Sequence, residues 1–234
     1  HDWNERIYHE CYLPNTQAPI FNDQGEVIKV ISNFTQISFN IGPTLFSWLS
    51  EKHPDTYQSI IEADRLSQAQ RAGHGNALAQ VYNHMIMPLS NNRDKRTQVI
   101  WGIQDFESRF QRKPEGMWLA ETAVDLETLD VLAEHGIKFT ILAPGQAKRF
   151  RKIGEEHFKD AHLEPIDTRR PYLCRLLSGK TIAIFFYDGN ASQSVAFEGL
   201  LNNGEAFANR LVSVFDRNSP APQLSHIATD GESY

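Results

Sequence analysis

The feature that most constrains the fold is the alternation along the chain of short strand-like segments with longer helix-like segments. Short apolar or alternating runs predict strands at residues 27–31, 37–41, 116–119, 139–142, 172–177, 181–187 and 224–228. Apolar residues spaced by three and four predict helices at residues 45–49, from 54 onward, and at 93–112, 125–135 and 200–214. Helices of this length can serve as crossovers, so the pattern predicts a mostly parallel α/β sheet with helices outside it. A barrel and an open doubly wound sheet both fit, but no glycine-rich dinucleotide-binding motif follows the first strands, which favours the barrel.

Local signals add detail to this pattern. Ser178-Gly179-Lys180 separates two of the strand-like runs and predicts a β-hairpin. Gly136 is expected to end the helix predicted before it. Residues 71–92 are rich in Gly, Asn and small side chains, which predicts a loop that carries a short helix.

The composition is that of an ordinary globular protein, since 41% of the 234 residues are hydrophobic and 22% are charged. The 23 basic and 29 acidic residues give a net charge of −6. No basic stripe stands out, so we expect no nucleic-acid partner. No apolar run approaches the length of about 18 residues that a membrane-spanning helix needs, so we expect no membrane partner.

The two cysteines and the chain ends constrain the class of protein further. Cys11 and Cys174 lie far apart and form no C-x-x-C pair, which argues against a disulfide framework and excludes a zinc ribbon. The chain opens at His1 without a methionine and shows no signal peptide. We therefore expect a piece of a longer protein, with a cytoplasmic location.

Two carboxylates follow predicted strands. Glu121 comes just after the strand at 116–119, and Asp230 comes just after the strand at 224–228. Parallel strands bring their carboxyl ends to one face, where barrel enzymes build their active sites. Two carboxylates that face each other across a small gap are the machinery of glycoside hydrolysis. Structural roles fit as well, because Glu121 suits a cap for the next helix and Asp230-Gly231 is a common turn pair.

Three segments in a fixed order resemble conserved regions of glycoside hydrolase family 57. The sequence PEGMWLAE at 114–121, followed by a helix and then GIKF at 136–139, resembles the third region, which carries the nucleophile. The sequence TDGE at 229–232 resembles the fourth region, whose Asp before Gly is the general acid/base. The sequence NHMIMP at 83–88 resembles the second region. The first and fifth regions are absent, and Ala120 stands where many members have Pro.

The resemblance implies a fold and a reaction. The fold is a (β/α)7-type barrel, TIM-like but irregular, with parallel strands and outer helices. Residues 1–234 would form one catalytic domain, truncated at both ends. The reaction is a retaining attack on an α-linked oligo- or polysaccharide, with Glu121 as nucleophile and Asp230 as general acid/base. No cofactor and no metal are implied. Hydrolysis and transfer to a sugar hydroxyl remain alternatives, and the oligomeric state stays open.

Six further residues are candidates for binding the sugar substrate. His84 lies in the second motif and Trp118 lies three residues before Glu121. Tyr187 and Asp188 end a predicted strand, although a plain turn explains them equally well. Trp3 and Glu232 are polar or aromatic candidates near the two ends of the chain. For Trp118 and His84 the alternative is a packed structural role.

Two rival functions follow from the same pattern. A metal-dependent polysaccharide deacetylase with a related barrel would need an Asp and closely spaced His residues to hold its ion. The nearest pair, His157 and His162, sits at a spacing that splits helix faces. A non-catalytic glucan-binding barrel is the second rival, because fold alone does not imply activity.

Overall fold

The computed structural model describes residues 2–233, and the chain divides into two compact units that meet in sequence between Ala120 and Glu121. The helices of the first unit are α1 (Trp3–Ile7), α2 (Leu13–Thr16), α3 (Pro43–Lys52), α4 (Pro54–Gln70) and α5 (Asn92–Phe110), with a π-helical segment, Tyr8–Tyr12, between α1 and α2. Its strands are β1 (Ala18–Phe21), β2 (Val27–Ile31), β3 (Ala79–Gln80) and β4 (Met117–Trp118). Short 3-10 turns lie at Asn33–Thr35 and Met87–Leu89.

Parallel pairing in the first unit brings β3 beside β4. Ala79 faces Met117, and Gln80 faces Trp118. On the chain segment before β3, Ala77 forms a parallel bridge with Phe39. The core around these segments is apolar and includes the fully buried Phe46, Leu49, Ile60, Val99 and Leu119.

A buried ion pair fixes the chain just before β3. The Asp64 side chain is 1% exposed and accepts two hydrogen bonds from Arg112, at 2.8 and 2.9 Å. The Ala77 N–H donates to the same carboxylate at 2.8 Å, and Arg112 donates back to the Ala77 carbonyl at 2.9 Å. A buried charge pair is tolerated when its remaining hydrogen-bonding groups are satisfied, as they are here.

The second unit is built on a three-stranded sheet. Its helices are α6 (Leu126–Glu134), α7 (Gly189–Phe197) and α8 (Gly204–Val212). Its strands are β5 (Phe139–Leu142), β6 (Arg149–Phe150), β7 (Lys159–Asp160), β8 (Pro171–Arg175) and β9 (Thr181–Phe186). Further 3-10 turns lie at Pro144–Gln146, Leu200–Asn202 and Gly231–Ser233, and the turn Ala120–Thr122 leads into the unit.

The central strand of this sheet is β9, which pairs in parallel with β5 and antiparallel with β8. The predicted hairpin at Ser178–Lys180 is confirmed, with Gly179 at φ 84°. Every second residue of β9 is buried, namely Ile182, Ile184 and Phe186. Gly136 ends α6 as predicted, at φ 86°, and the Ile137 N–H donates to the Leu132 carbonyl.

The predicted α/β class is confirmed, whereas a closed barrel is not seen among residues 2–233, whose sheets contain two or three strands. The strand predicted at 37–41 is wrong. Only Phe39 forms a bridge there, because the segment is confined between the 3-10 turn at Asn33–Thr35 and α3, which begins at Pro43. The strand β1, the two-residue strand β3 and the helix α7 were not predicted.

The strand predicted at 224–228 is also wrong, since these residues belong to no strand. Both edges of β9 are already paired, one with β5 and the other with β8, so the segment has no open edge of β9 to join. It is held instead by single hydrogen bonds, such as the one from the Leu224 N–H to the Arg169 carbonyl at 3.1 Å.

Within residues 2–233, none of the helices combines the length and the apolar character that crossing a lipid bilayer requires.

We predict that Gly102→Ala strongly destabilises the first unit. A Cβ at Gly102, in the middle of α5, would lie 2.1 Å from the Gln80 carbonyl oxygen on β3. The backbone must shift to accept it, at a cost of about 2 kcal/mol or more. The matched control is Gly204→Ala at the start of α8, where nothing lies within 4 Å. Urea unfolding of both variants measures the difference, and an unchanged midpoint for Gly102→Ala would contradict the close approach.

Candidate active site

Two parallel strands of the second unit end at the same edge. Leu142 of β5 faces Phe186 of β9 in the register of the pair, and the next residue, Tyr187, donates its N–H to the Leu142 carbonyl at 3.2 Å. The chain that follows each strand therefore emerges at one place. Each of these emerging segments contacts the backbone close to one of the two predicted catalytic carboxylates.

The backbone at Glu121 is strained. Glu121 lies in the left-handed region at φ 55° and ψ 20°, and Thr122 follows it at φ 52°. A non-glycine residue rarely adopts this conformation, and a β-branched one such as Thr122 is a clear outlier. Such strain costs on the order of 1–3 kcal/mol per residue and accumulates at functional sites. Glu121 thus combines an exposed side chain with a strained backbone conformation.

The turn after β5 holds this strained segment. Gln146 lies in the 3-10 turn Pro144–Gln146, and its side-chain amide donates to the Thr122 carbonyl. The side-chain oxygen of Gln146 accepts from the Ala143 N–H at 2.8 Å. One side chain therefore ties the residue after Glu121 to the end of β5.

The capping alternative for Glu121 is not supported. The cap of α6 is Asp125, whose Oδ1 accepts from the Thr128 N–H at 2.7 Å. Asp125, rather than Glu121, is therefore the N-cap residue of α6.

The chain that leads to Asp230 is held from β9. The Asp188 N–H, two residues beyond the end of β9, donates to the His226 carbonyl at 2.9 Å. The Ala228 N–H donates to the Ser192 hydroxyl at 3.1 Å. The Asp230 side chain is exposed, and the Ser233 N–H donates to the Asp230 carbonyl at 3.1 Å, so the turn predicted as the structural alternative is also present.

The Asp188 side chain already has structural partners within the fold. Its Oδ1 caps α7 by accepting from the Ala191 N–H at 3.0 Å, and its Oδ2 pairs with Arg210 at 3.1 Å. Tyr187 beside it is half-buried at the strand end. Both residues were predicted to bind substrate. The structure shows that Asp188 also caps α7 and forms an ion pair with Arg210.

His84 and Trp118 lie at the carboxyl edge of the other parallel pair. Trp118 is the last residue of β4, and His84 follows β3 in a loop with φ 51°. The buried Gln98 of α5 holds this loop, because its side-chain oxygen accepts from the Asn83 N–H at 2.7 Å. His84 is exposed and Trp118 is half-buried, so both side chains are accessible from solvent at this edge of the first unit.

Trp3 and Glu232 lie away from strand ends. Trp3 begins α1, is 64% exposed, and has the Arg6 guanidinium over its ring at 5.1 Å. Glu232 is exposed in the turn Gly231–Ser233 that follows Asp230.

The pKa of His226, which lies on the segment before Asp230, is lowered from its ordinary value. Burial lowers its pKa, while a hydrogen bond to the Phe186 backbone and the charge of Asp188 oppose that shift. Its buried Nε2 has no hydrogen-bond partner within residues 2–233. A buried imidazole of this kind favours the neutral form.

Sequence reasoning missed Gln146, Ser192 and His226. Gln146 and Ser192 act through hydrogen bonds to chain segments far away in sequence, which no local pattern encodes. One signal was available for the helix that carries Ser192. An Asp directly after a strand, followed by small residues, is typical of a helix N-terminus.

No group of three or more His, Cys, Asp or Glu side chains that could bind a metal ion is found between residues 2 and 233.

These features define a class, an α/β protein in which the exposed Glu121 follows a parallel strand and the exposed Asp230 follows a segment hydrogen-bonded to the chain beyond β9. Comparison with known proteins gives the family. The profile of Glycosyl hydrolase family 57 matches residues 3–234, so the chain belongs to that family. This confirms the resemblance found in the three sequence motifs.

Individual relatives agree with this placement. Alpha-amylase 1 of Dictyoglomus thermophilum is 25% identical over 150 residues, which are 64% of this chain and 19% of that protein. The structure of 4-alpha-glucanotransferase from Thermococcus litoralis matches with a TM-score of 0.64 at 17% identity, covering 98% of this chain and 30% of the other. A maltose-forming amylase from Pyrococcus sp. ST04 matches with a TM-score of 0.69 at 18% identity, covering 99% and 34%. The chain thus spans about a third or less of the length of these proteins.

We predict that Glu121→Gly costs less stability than a Glu→Gly change within a helix, because glycine adopts the left-handed conformation without strain. The matched control is Glu127→Gly in the first turn of α6, which we expect to destabilise by about 0.5–1 kcal/mol. Urea unfolding compares the two variants. Equal destabilisation by both would contradict the strained backbone at Glu121.

We predict that the protein loses stability as the pH falls below the ordinary His range. The pKa of His226 is lowered by burial, so the unfolded chain binds a proton there more readily than the folded chain does. The stabilisation is present above the unfolded pKa of about 6.5 and is lost as the pH falls from there through the folded value. Melting temperatures at pH 7.5 and 5.0 measure this, and His226→Gln should reduce the difference. An undiminished difference in that variant would assign the effect to other groups.

Proposed function

We propose that this chain carries the catalytic site of a retaining glycoside hydrolase or glucanotransferase that acts on α-linked glucans. Glu121 is the nucleophile, and Asp230 is the general acid/base. The observation that carries the proposal is that β5 and β9 end together, and that the chain beyond each strand hydrogen-bonds to the segment that contains one of these carboxylates. Gln146 binds the residue after Glu121, and Asp188 binds His226, four residues before Asp230.

Family membership supports the same assignment. The match over residues 3–234 includes both motifs that carry the carboxylates. The relatives that match are named as an amylase, a glucanotransferase and a maltose-forming amylase. The metal-dependent deacetylase is therefore not favoured.

The chemistry proceeds in two balanced steps. Glu121 attacks the anomeric carbon while the glycosidic C–O bond breaks, and Asp230 gives its proton to the departing oxygen. The ionised Asp230 then takes a proton from water or from a sugar hydroxyl, which attacks the same carbon and releases Glu121. Water gives hydrolysis, and a sugar hydroxyl gives transfer, so one site serves both outcomes.

The remaining candidates have subsidiary roles in this proposal. Trp118, at the end of β4, and His84, after β3, are further proposed sugar-binding residues of the first unit, and a (β/α)7-type barrel is the proposed fold. Tyr187 lines the end of β9. The substrate is an oligo- or polysaccharide.

We predict that Glu121→Gln lowers turnover by at least about 10³-fold in the full-length protein, because the amide is no nucleophile. Asp230→Asn should lower it by about 10²–10⁴-fold, the usual contribution of general acid/base catalysis. Consumption of maltoheptaose, followed by chromatography, measures both. The matched control is Glu127→Gln, on the exposed first turn of α6, which should keep full activity.

The stereochemistry of the product gives a second readout. Proton NMR of the first product should show the α-anomer, because two displacements restore the configuration. A β-anomer would reject the covalent role of Glu121. An inactive wild-type protein with intact glucan binding would support the non-catalytic barrel instead.

A further inference from the structure

The segment that leads to Asp230 lacks the ladder that normally fixes a strand. Both edges of β9 are taken, by β5 and by β8. The hydrogen bonds that secure the segment include one each to the Arg169 carbonyl, the Asp188 N–H and the Ser192 hydroxyl, and the His226 ring adds one to the Phe186 backbone. A segment held in this way depends on each bond more than a ladder strand does, because no neighbouring bond in register supports it.

The bond to Ser192 is the one of these that lies nearest to Asp230 in sequence. The Ala228 N–H, two residues before Asp230, donates to the Ser192 hydroxyl at 3.1 Å. Ser192 is 6% exposed, so water does not readily replace this bond. The preceding bond, from the Asp188 N–H to the His226 carbonyl, lies four residues before Asp230.

The Ser192 hydroxyl is itself fixed in orientation. It donates to the Asp188 carbonyl at 2.8 Å while it accepts from Ala228, so its proton and one lone pair are both committed. Asp188 in turn caps α7 and pairs with Arg210 at 3.1 Å. Asp188 and Ser192 are therefore both held at the start of α7, and the bond to the Ala228 N–H links the chain that carries Asp230 to that helix.

We propose that Ser192 is a positioning residue for Asp230, because its hydroxyl sets where the chain presents the general acid. This inference rests on the proposed role of Asp230 as general acid/base. A general acid must lie within hydrogen-bond reach of the departing oxygen, and a shift of about 1 Å can lower the rate 10²-fold. Removing the hydroxyl should thus impair proton donation more than substrate binding.

The test compares two substrates that need different amounts of acid assistance. Maltoheptaose has a sugar leaving group and needs a proton from Asp230, whereas maltotriosyl fluoride releases fluoride with little assistance. In the full-length protein, Ser192→Ala should lower kcat/KM for maltoheptaose about 10-fold or more, through kcat, and change that for the fluoride less than about threefold. Ser192→Thr, which keeps the hydroxyl, should recover most of the loss.

A matched control lies on the same helix. Ser194 is also a serine of α7, and its hydroxyl donates to the Glu198 carboxylate at 2.6 Å, within the helix and the residue that follows it. Ser194→Ala should leave both substrates unaffected. If Ser192→Ala does not fold, Ser192→Cys serves in its place, because the thiol keeps the volume but is a weak acceptor.

The outcomes separate the two hypotheses. Asp230→Asn is measured in parallel, and if it still consumes maltoheptaose at the wild-type rate, the proposed function fails and the inference fails with it. If Asp230→Asn shows the selective loss but the Ser192 variants lose both substrates equally, or lose neither, the inference alone is overturned. A selective loss in both Asp230→Asn and Ser192→Ala supports the positioning role.

Discussion

The parallel hydrogen-bond ladder between β5 and β9 is the constraint on which the candidate site depends. The alternating burial of Ile182, Ile184 and Phe186 fixes which face of β9 meets the core, and this fixes the register with β5. A slip of one residue would turn every β9 side chain to the opposite face. It would also move Asp188 away from the position where its N–H donates to the His226 carbonyl.

Hydrophobic periodicity predicted the elements whose stability is local. Helices α3 to α6, strand β5 and the β8–β9 hairpin show clear patterns, because each buries one regular face or alternate residues. Strand β3 has only two residues, and α7 is rich in small polar side chains, so neither has a usable period. Residues 224–228 have a strand-like sequence, but β5 and β8 already occupy both sides of β9, to which this segment is linked by a hydrogen bond at Asp188.

The candidate carboxylates could be proposed from sequence because both lie in short motifs and Glu121 also follows a strand, whereas the strand predicted before Asp230 does not form. The supporting residues could not, because Gln146 and Ser192 act on segments 24 and 36 residues away along the chain. The strain at Glu121 was equally hidden, since nothing in its residue type predicts a left-handed backbone. Strained backbone residues accumulate at functional sites, and the strain at Glu121 is one observation that supports the proposed role of this residue.

Trapping of the glycosyl-enzyme tests the central claim most directly. A 5-fluoro-α-glycosyl fluoride forms the covalent intermediate but slows its breakdown, so the adduct accumulates. Mass spectrometry of the digested full-length protein should find the sugar on the peptide that contains Glu121, and Glu121→Gln should abolish it. An adduct on another carboxylate would contradict the assignment of Glu121 as nucleophile. Turnover of this reagent without any accumulated adduct would contradict it as well.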